Sequence, residues 1–308
     1  MAKKVYEISV PPDVNEIVIR LRKEETASIP RMPTGPLPLY AQITTPEQVP
    51  DAWAALITGL HLRFRQTNAE PHKIRGILDA CHARGWKAGL VIAVHSARTS
   101  EGGGVFTRYT RRLPDGEVIP DYWNDAFFRE WLAIRRSIAA EVKNHPALAW
   151  VGVDFGLDDE AWPAKPWQRV PKEWWWGYIT RYVTAAWELA RIFDPVPVVA
   201  QVATFLRQGL EMLYWGFREH KPPANLGIKY NGFHVDPEAL PTLEAKIRPF
   251  WDWCRGNRRL AILEPGMVPT GTPERDLDTA AALFRRAQKW NADILVLQKE
   301  FLDALAVG

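Results

Sequence analysis

The chain has 308 residues, 47% of them hydrophobic and 24% charged, with a formal charge of +3; these are values of a globular protein, and the length suits one barrel-sized domain. Bases interspersed among acids and a small net charge argue against a nucleic-acid partner, and no apolar run reaches the roughly 18 residues of a membrane span. Two cysteines exclude a disulfide framework, and the opening MAKKVYEISVPPD has no apolar signal region, which fits a cytoplasmic protein or a secreted one whose signal has been removed.

Residues 1–37 read as an irregular extension packing on the domain that follows. They hold one strand-like run, EIVIRL, which is an alternative first strand, and a Pro-rich stretch, SIPRMPTGPLP, whose fixed φ values and missing donors exclude it from a sheet interior. From residue 38 to 308, short β-branched runs alternate with longer amphipathic ones, the pattern of a parallel sheet wrapped by helices. Eight runs qualify as strands: 39–44, 60–66, 87–95, 148–156, 197–204, 226–233, 259–265 and 293–299. The fold expected is therefore an α/β class (β/α)₈ TIM barrel. Helices are expected over 71–85, 125–146, 171–193, 205–220, 241–257 and 273–291, several opening on Pro and closing on Gly or before Pro.

Two connections are long, the one after the third strand and the one after the fourth. In a barrel such loops surround the C-terminal mouth, where catalysis sits. The fourth strand runs into Asp158, Asp159 and Glu160, and the seventh ends on a single carboxylate, Glu264, before Pro265 and Gly266. A lone acid ending a buried strand is costly unless it is paired or used. Strands four and seven face each other across a barrel, and two carboxyl groups about 5 to 5.5 Å apart suit retaining glycoside hydrolysis. The plainer alternative is two salt-bridged or solvated acids, with Arg63, Arg65 or Lys229 as partners.

The 15 tryptophans are an excess. Trp150, Trp187 and Trp290 sit in periodic core stretches, whereas Trp123, Trp162, Trp167 and Trp174 to Trp176 lie in or beside polar connections, where flat faces could pack on sugar rings. Tyr230 and Asn231 end strand six, Arg65 and Gln66 end strand two, and His95 ends strand three. These residues, with Asp159, Trp123 and Trp162, are the expected substrate-binding set.

Glutamates ending strands four and seven, together with P-x-YWN-x-x-F (Pro120 to Phe127), NHPALAWVGVDFGLDDEAW and LGIKYNGFHVD, resemble glycoside hydrolase clan A, in particular its beta-galactosidase-like barrels. The resemblance spans about residues 38–305 and implies Glu160 as acid/base and Glu264 as nucleophile of a retaining glycosidase on an oligo- or polysaccharide, with no cofactor. It also implies that the Glu160 carboxyl is kept protonated by Trp162 or neighbouring acids, and that donors such as Tyr230 or Arg65 keep Glu264 ionised. Asp159 departs from that pattern, which has Asn before the acid/base.

Other chemistries are less well supported by the sequence. His95, His220 and His234 fall on separate segments without metal-ligand spacing, so no metal is expected, and Gly102 to Gly104 lack the setting of a phosphate cradle. Lys229 could serve a Schiff-base aldolase. A barrel that binds glycans without cleaving them, or a structural module of a larger assembly, is the non-enzyme alternative.

Overall fold

The computed structural model describes residues 37–43, 45–94, 107–157, 161–164, 169–203, 218, 222–235, 241–266 and 268–307. Its strands are β1 (Leu39–Gln42), β2 (Gly59–Arg65), β3 (Lys87–Ala93), β4 (Thr110–Arg112), β5 (Val118–Pro120), β6 (Leu148–Val153), β7 (Val198–Ala203), β8 (Leu226–Phe233), β9 (Ala261–Pro265) and β10 (Ile294–Leu297). All but β4 and β5 form one closed parallel barrel, in which β1 pairs with both β2 and β10. Each of the eight expected strands is present, and the circuit closes on Leu39–Gln42 without EIVIRL. That run, and the expected extension apart from Leu37, lie outside the described residues.

Described helices are α1 (Pro71–Ala83), α2 (Asp125–Val142), α3 (Lys172–Phe193), α4 (Pro241–Gly256), α5 (Pro273–Lys289) and α6 (Lys299–Val307). Pro begins α1, α4 and α5, where its missing N–H is no loss. Asn124 caps α2, its side-chain oxygen accepting from the Ala126 and Phe127 amides at 2.8 and 3.3 Å. The helix expected over 205–220 lies outside the described residues, and two 3-10 turns, Pro46–Gln48 and Asp51–Trp53, stand between β1 and β2.

Period-2 alternation sorts every strand into two faces. Leu60, Leu62, Leu90, Ile92, Ile228 and Leu263 look outward and join the helices in the main core. Tyr40, Val91, Trp150, Val199, Ile262 and Val296 look inward and form a second, separate cluster that plugs the barrel. Trp150 is the keystone of that plug: a Cβ on Gly89 of the neighbouring strand would lie 1.9 Å from its ring, so only glycine admits the indole there. Cys81 and Cys254 are both buried and free, as composition suggested, and burial pushes each thiol up to about 12. Among the described residues no helix is long and apolar enough to cross a membrane.

Candidate active site

Strands β8 and β9 pair in parallel with Asn231 opposite Glu264 and Lys229 opposite Ile262. Residues two apart share a face, so Lys229 and Asn231 look into the barrel and Tyr230 looks out. Glu264 also looks in, at the C-terminal end of β9, and is only 7% exposed. Lys229 Nζ donates to its Oε2 at 2.5 Å. The ends of the two strands approach closely there: a Cβ on Gly266 would lie 2.5 Å from the Gly232 Cα, and Gly232 has a φ of 125° that other residues rarely adopt.

From the opposite wall, β2 contributes His61 and Arg63 on the inward face. His61 is fully buried with its ring 5.2 Å from that of Trp150, and neither of its nitrogens has a hydrogen-bond partner among the described residues. Burial first, then the Lys229 and Arg63 charges, hold the His61 pKa well below its ordinary value against the opposing pull of Glu264. His61 is thus a neutral imidazole. Burial alone would raise the Glu264 pKa, but the Lys229 ammonium, with a smaller effect from Arg63, overrides it and brings the carboxyl down to about 2. Glu264 is ionised, as expected, though by Lys229 and not by Tyr230.

Tyr230 requires correction. Its ring packs against Trp290 and Phe233 outside the barrel wall, with centroids 5.9 and 6.2 Å away, and its hydroxyl donates to the Gly232 carbonyl at 3.2 Å. The parity of β8 puts that side chain on the face opposite Glu264. Trp162 is corrected too: it is 2% exposed and packs edge-on against Trp175, so it presents no open face to a sugar. Trp123 is half-buried. Its indole N–H donates to the Trp174 carbonyl at 2.9 Å, and the Arg111 guanidinium lies 4.9 Å from its ring and 4.8 Å from that of Trp174.

Much of the aromatic excess instead fixes the exit of β6. Phe155 is enclosed by Tyr122, Phe127, Phe128, Trp131 and Tyr178, with ring centroids 5.1 to 6.4 Å away. Tyr178 donates to its carbonyl at 2.5 Å. Two residues on, the Leu157 amide donates to the Trp162 carbonyl at 2.6 Å. Asp158, Asp159 and Glu160 themselves, and likewise His95, Trp167 and His220, lie outside the described residues.

A buried polar network that the sequence reading passed over stands beside this exit. Arg135 of α2 reaches into the wall and donates to Gln66 Oε1 at 2.7 Å, to the Ile92 carbonyl at 2.8 Å and to Asp154 Oδ2 at 3.2 Å. Gln66 is thereby held at the end of β2 by a protein partner. Arg65, half-buried and on the inward parity of β2, donates its backbone N–H to Asn68 at 2.9 Å. The connection after β3, read only as a loop, contains the antiparallel hairpin β4–β5, to which Arg169 ties the connection after β6 through Asp115 and Glu117. No group of three or more His, Cys, Asp or Glu suited to a metal occurs among the described residues.

The chain is thus an eight-stranded parallel (β/α)₈ barrel whose seventh strand ends on a buried, ionised glutamate. Solved structures with this fold include the glycoside hydrolase domain of PelA from Pseudomonas aeruginosa, at 13% identity and a TM-score of 0.53 over 87% of this chain and 96% of that one. A beta-galactosidase from the psychrophilic Marinomonas ef1 matches at 12% identity and a TM-score of 0.54, over 88% of this chain and 58% of that one. A hyperthermophilic endo-beta-1,4-glucanase, solved in complex with substrate, matches at 8% identity and a TM-score of 0.50, over 81% and 82%. No protein-family model matches the chain, and no curated protein matches it in sequence.

Proposed function

We propose that the protein is a retaining glycoside hydrolase acting on an oligo- or polysaccharide without a cofactor, with Glu264 as nucleophile and Glu160 as acid/base. The observation that carries this reading is the buried Glu264 carboxylate at the end of the seventh barrel strand, ionised against the cost of its own burial. The structural neighbours support it, being named as a glycoside hydrolase domain, a beta-galactosidase and an endo-beta-1,4-glucanase. In the first step Glu264 attacks the anomeric carbon, the glycosidic C–O bond breaks, and Glu160 gives its proton to the departing oxygen. In the second, Glu160 takes a proton from water, whose oxygen attacks the same carbon and releases Glu264.

One observation favours a second reading, a glycan-binding barrel without turnover: the Lys229 ammonium already satisfies one oxygen of Glu264, as in a purely structural ion pair. The same pairing disfavours Lys229 as a Schiff-base amine. A screen of aryl glycosides and of plant and microbial polysaccharides separates enzyme from binder. Turnover on any of them, lost in E264Q, supports the hydrolase; saturable binding without turnover on all of them supports the binder.

A further inference from the structure

We propose that Lys229 is a positioning residue for Glu264: anchored in the barrel wall, it grips one oxygen of the carboxylate and keeps the group charged, leaving the other oxygen for the reacting carbon. The inference rests on the reading of Glu264 as nucleophile. Lys229 stands mid-strand on β8, 2% exposed, so its stem is clamped and its ammonium has a fixed reach. The contact is made to Oε2 only, and Oε1 has no hydrogen-bond donor among the described residues.

Packing does not call for an ion pair here. The layer beneath is an apolar plug of Tyr40, Val91, Trp150, Val199, Ile262 and Val296. Apolar side chains of similar size in place of a buried ion pair are commonly neutral or stabilising, so burial alone gives no reason for Lys at 229. Of the groups facing Glu264, β8 supplies Lys229 and β2 supplies His61 and Arg63, of which His61 is neutral. On the other strands, Gln201 of β7 carries no charge, Val296 of β10 is apolar, and Tyr40 of β1 is a buried phenol whose pKa burial raises. Among the described residues Lys229 is the cation in contact, and without it burial acts on the carboxylate opposed by the Arg63 charge alone.

The test uses the full chain. Carbon-13 titration of the Glu264 carboxyl, assigned by its loss in E264Q, needs no substrate. The expected result is titration far below the ordinary 4.5 in the wild type, above it in K229M, and below it again in K229R. With the best aryl glycoside from the screen, the acid limb of kcat/KM against pH moves up in K229M, so that the ratio of activity at pH 5 to that at pH 7 is lower than in the wild type, while KM changes little. A wild-type Glu264 that titrates at 4.5 or higher overturns the inference whether or not K229M folds, and so does a K229M limb identical to the wild type. Retained turnover in E264Q removes the nucleophile reading instead; loss of turnover in E264Q with an unmoved K229M limb removes only the role of Lys229.

Discussion

Replacing Gly89 by Ala tests the barrel plug at its tightest point. The added Cβ would lie 1.9, 2.0 and 2.5 Å from Cε2, Cζ2 and Nε1 of Trp150, where ordinary contact begins at 3.4 Å, so the ring must retreat by about 1.5 Å (3.4 − 1.9). It has nowhere to go: Trp150 is fully buried, with the His61 and Tyr40 rings 5.2 and 6.5 Å away. Overpacking typically costs about 1–3 kcal/mol, and displacement of a whole indole places G89A at about 3 kcal/mol or above. At roughly 2 °C per kcal/mol for a chain of this size, the melting temperature drops by roughly 6 °C. Urea unfolding of G89A, W150L and the double variant forms a cycle. W150L alone loses about 2–4 kcal/mol through lost burial, but G89A adds little to it once the ring is gone, giving a coupling of about 2 kcal/mol or more. A G89A midpoint within about 0.5 kcal/mol of the wild type, or strictly additive losses, refutes the packing argument.

Three further outcomes are expected. Glu264 has a folded pKa depressed from 4.5 to about 2, so its stabilisation is complete above 4.5 and is lost as pH falls towards 2; the gap corresponds to roughly 3 kcal/mol. Between pH 6 and pH 2.5 the urea midpoint of the wild type should therefore fall more steeply than that of the K229M/E264Q double variant, and equal slopes would contradict the assignment. E264Q should lose several orders of magnitude on every substrate, whereas E160Q should keep the first step on an activated aryl glycoside, with added azide restoring turnover; equal losses on activated and natural substrates would count against Glu160 as acid/base. Chelator treatment should leave activity and melting temperature unchanged, and a loss of either would point to a metal.

The barrel was legible because β-branched runs recur eight times with six helical patterns between them, and a β-branched run between amphipathic stretches has few other destinations. Expected strands ran up to three residues too long at the mouth, as in 148–156 against Leu148–Val153, because the chain leaves the sheet while its residues still read as apolar. That same reading hid Asp154, buried just past the end of β6, and Arg135, whose charge on a helix ordinarily signals a solvent face. Tyr230 was misplaced by one residue of parity, the smallest error that turns a side chain through the wall. Lys229 stood among the possible partners of Glu264, but neither its 2.5 Å contact nor the burial of His61 beside it follows from a single strand. The β4–β5 hairpin carried its own signal, Pro114-Asp115-Gly116 with Gly116 at a φ of 94°, between strands too short to read as such.

The central claim is that Glu264 forms the covalent bond to sugar. Incubation with a 2-deoxy-2-fluoro glycoside bearing an activated leaving group, of whichever sugar the screen identifies, should trap the glycosyl-enzyme, and peptide mass spectrometry should then find the label on Glu264. A label on any other residue, or an inverted product anomer with no label at all, would contradict it.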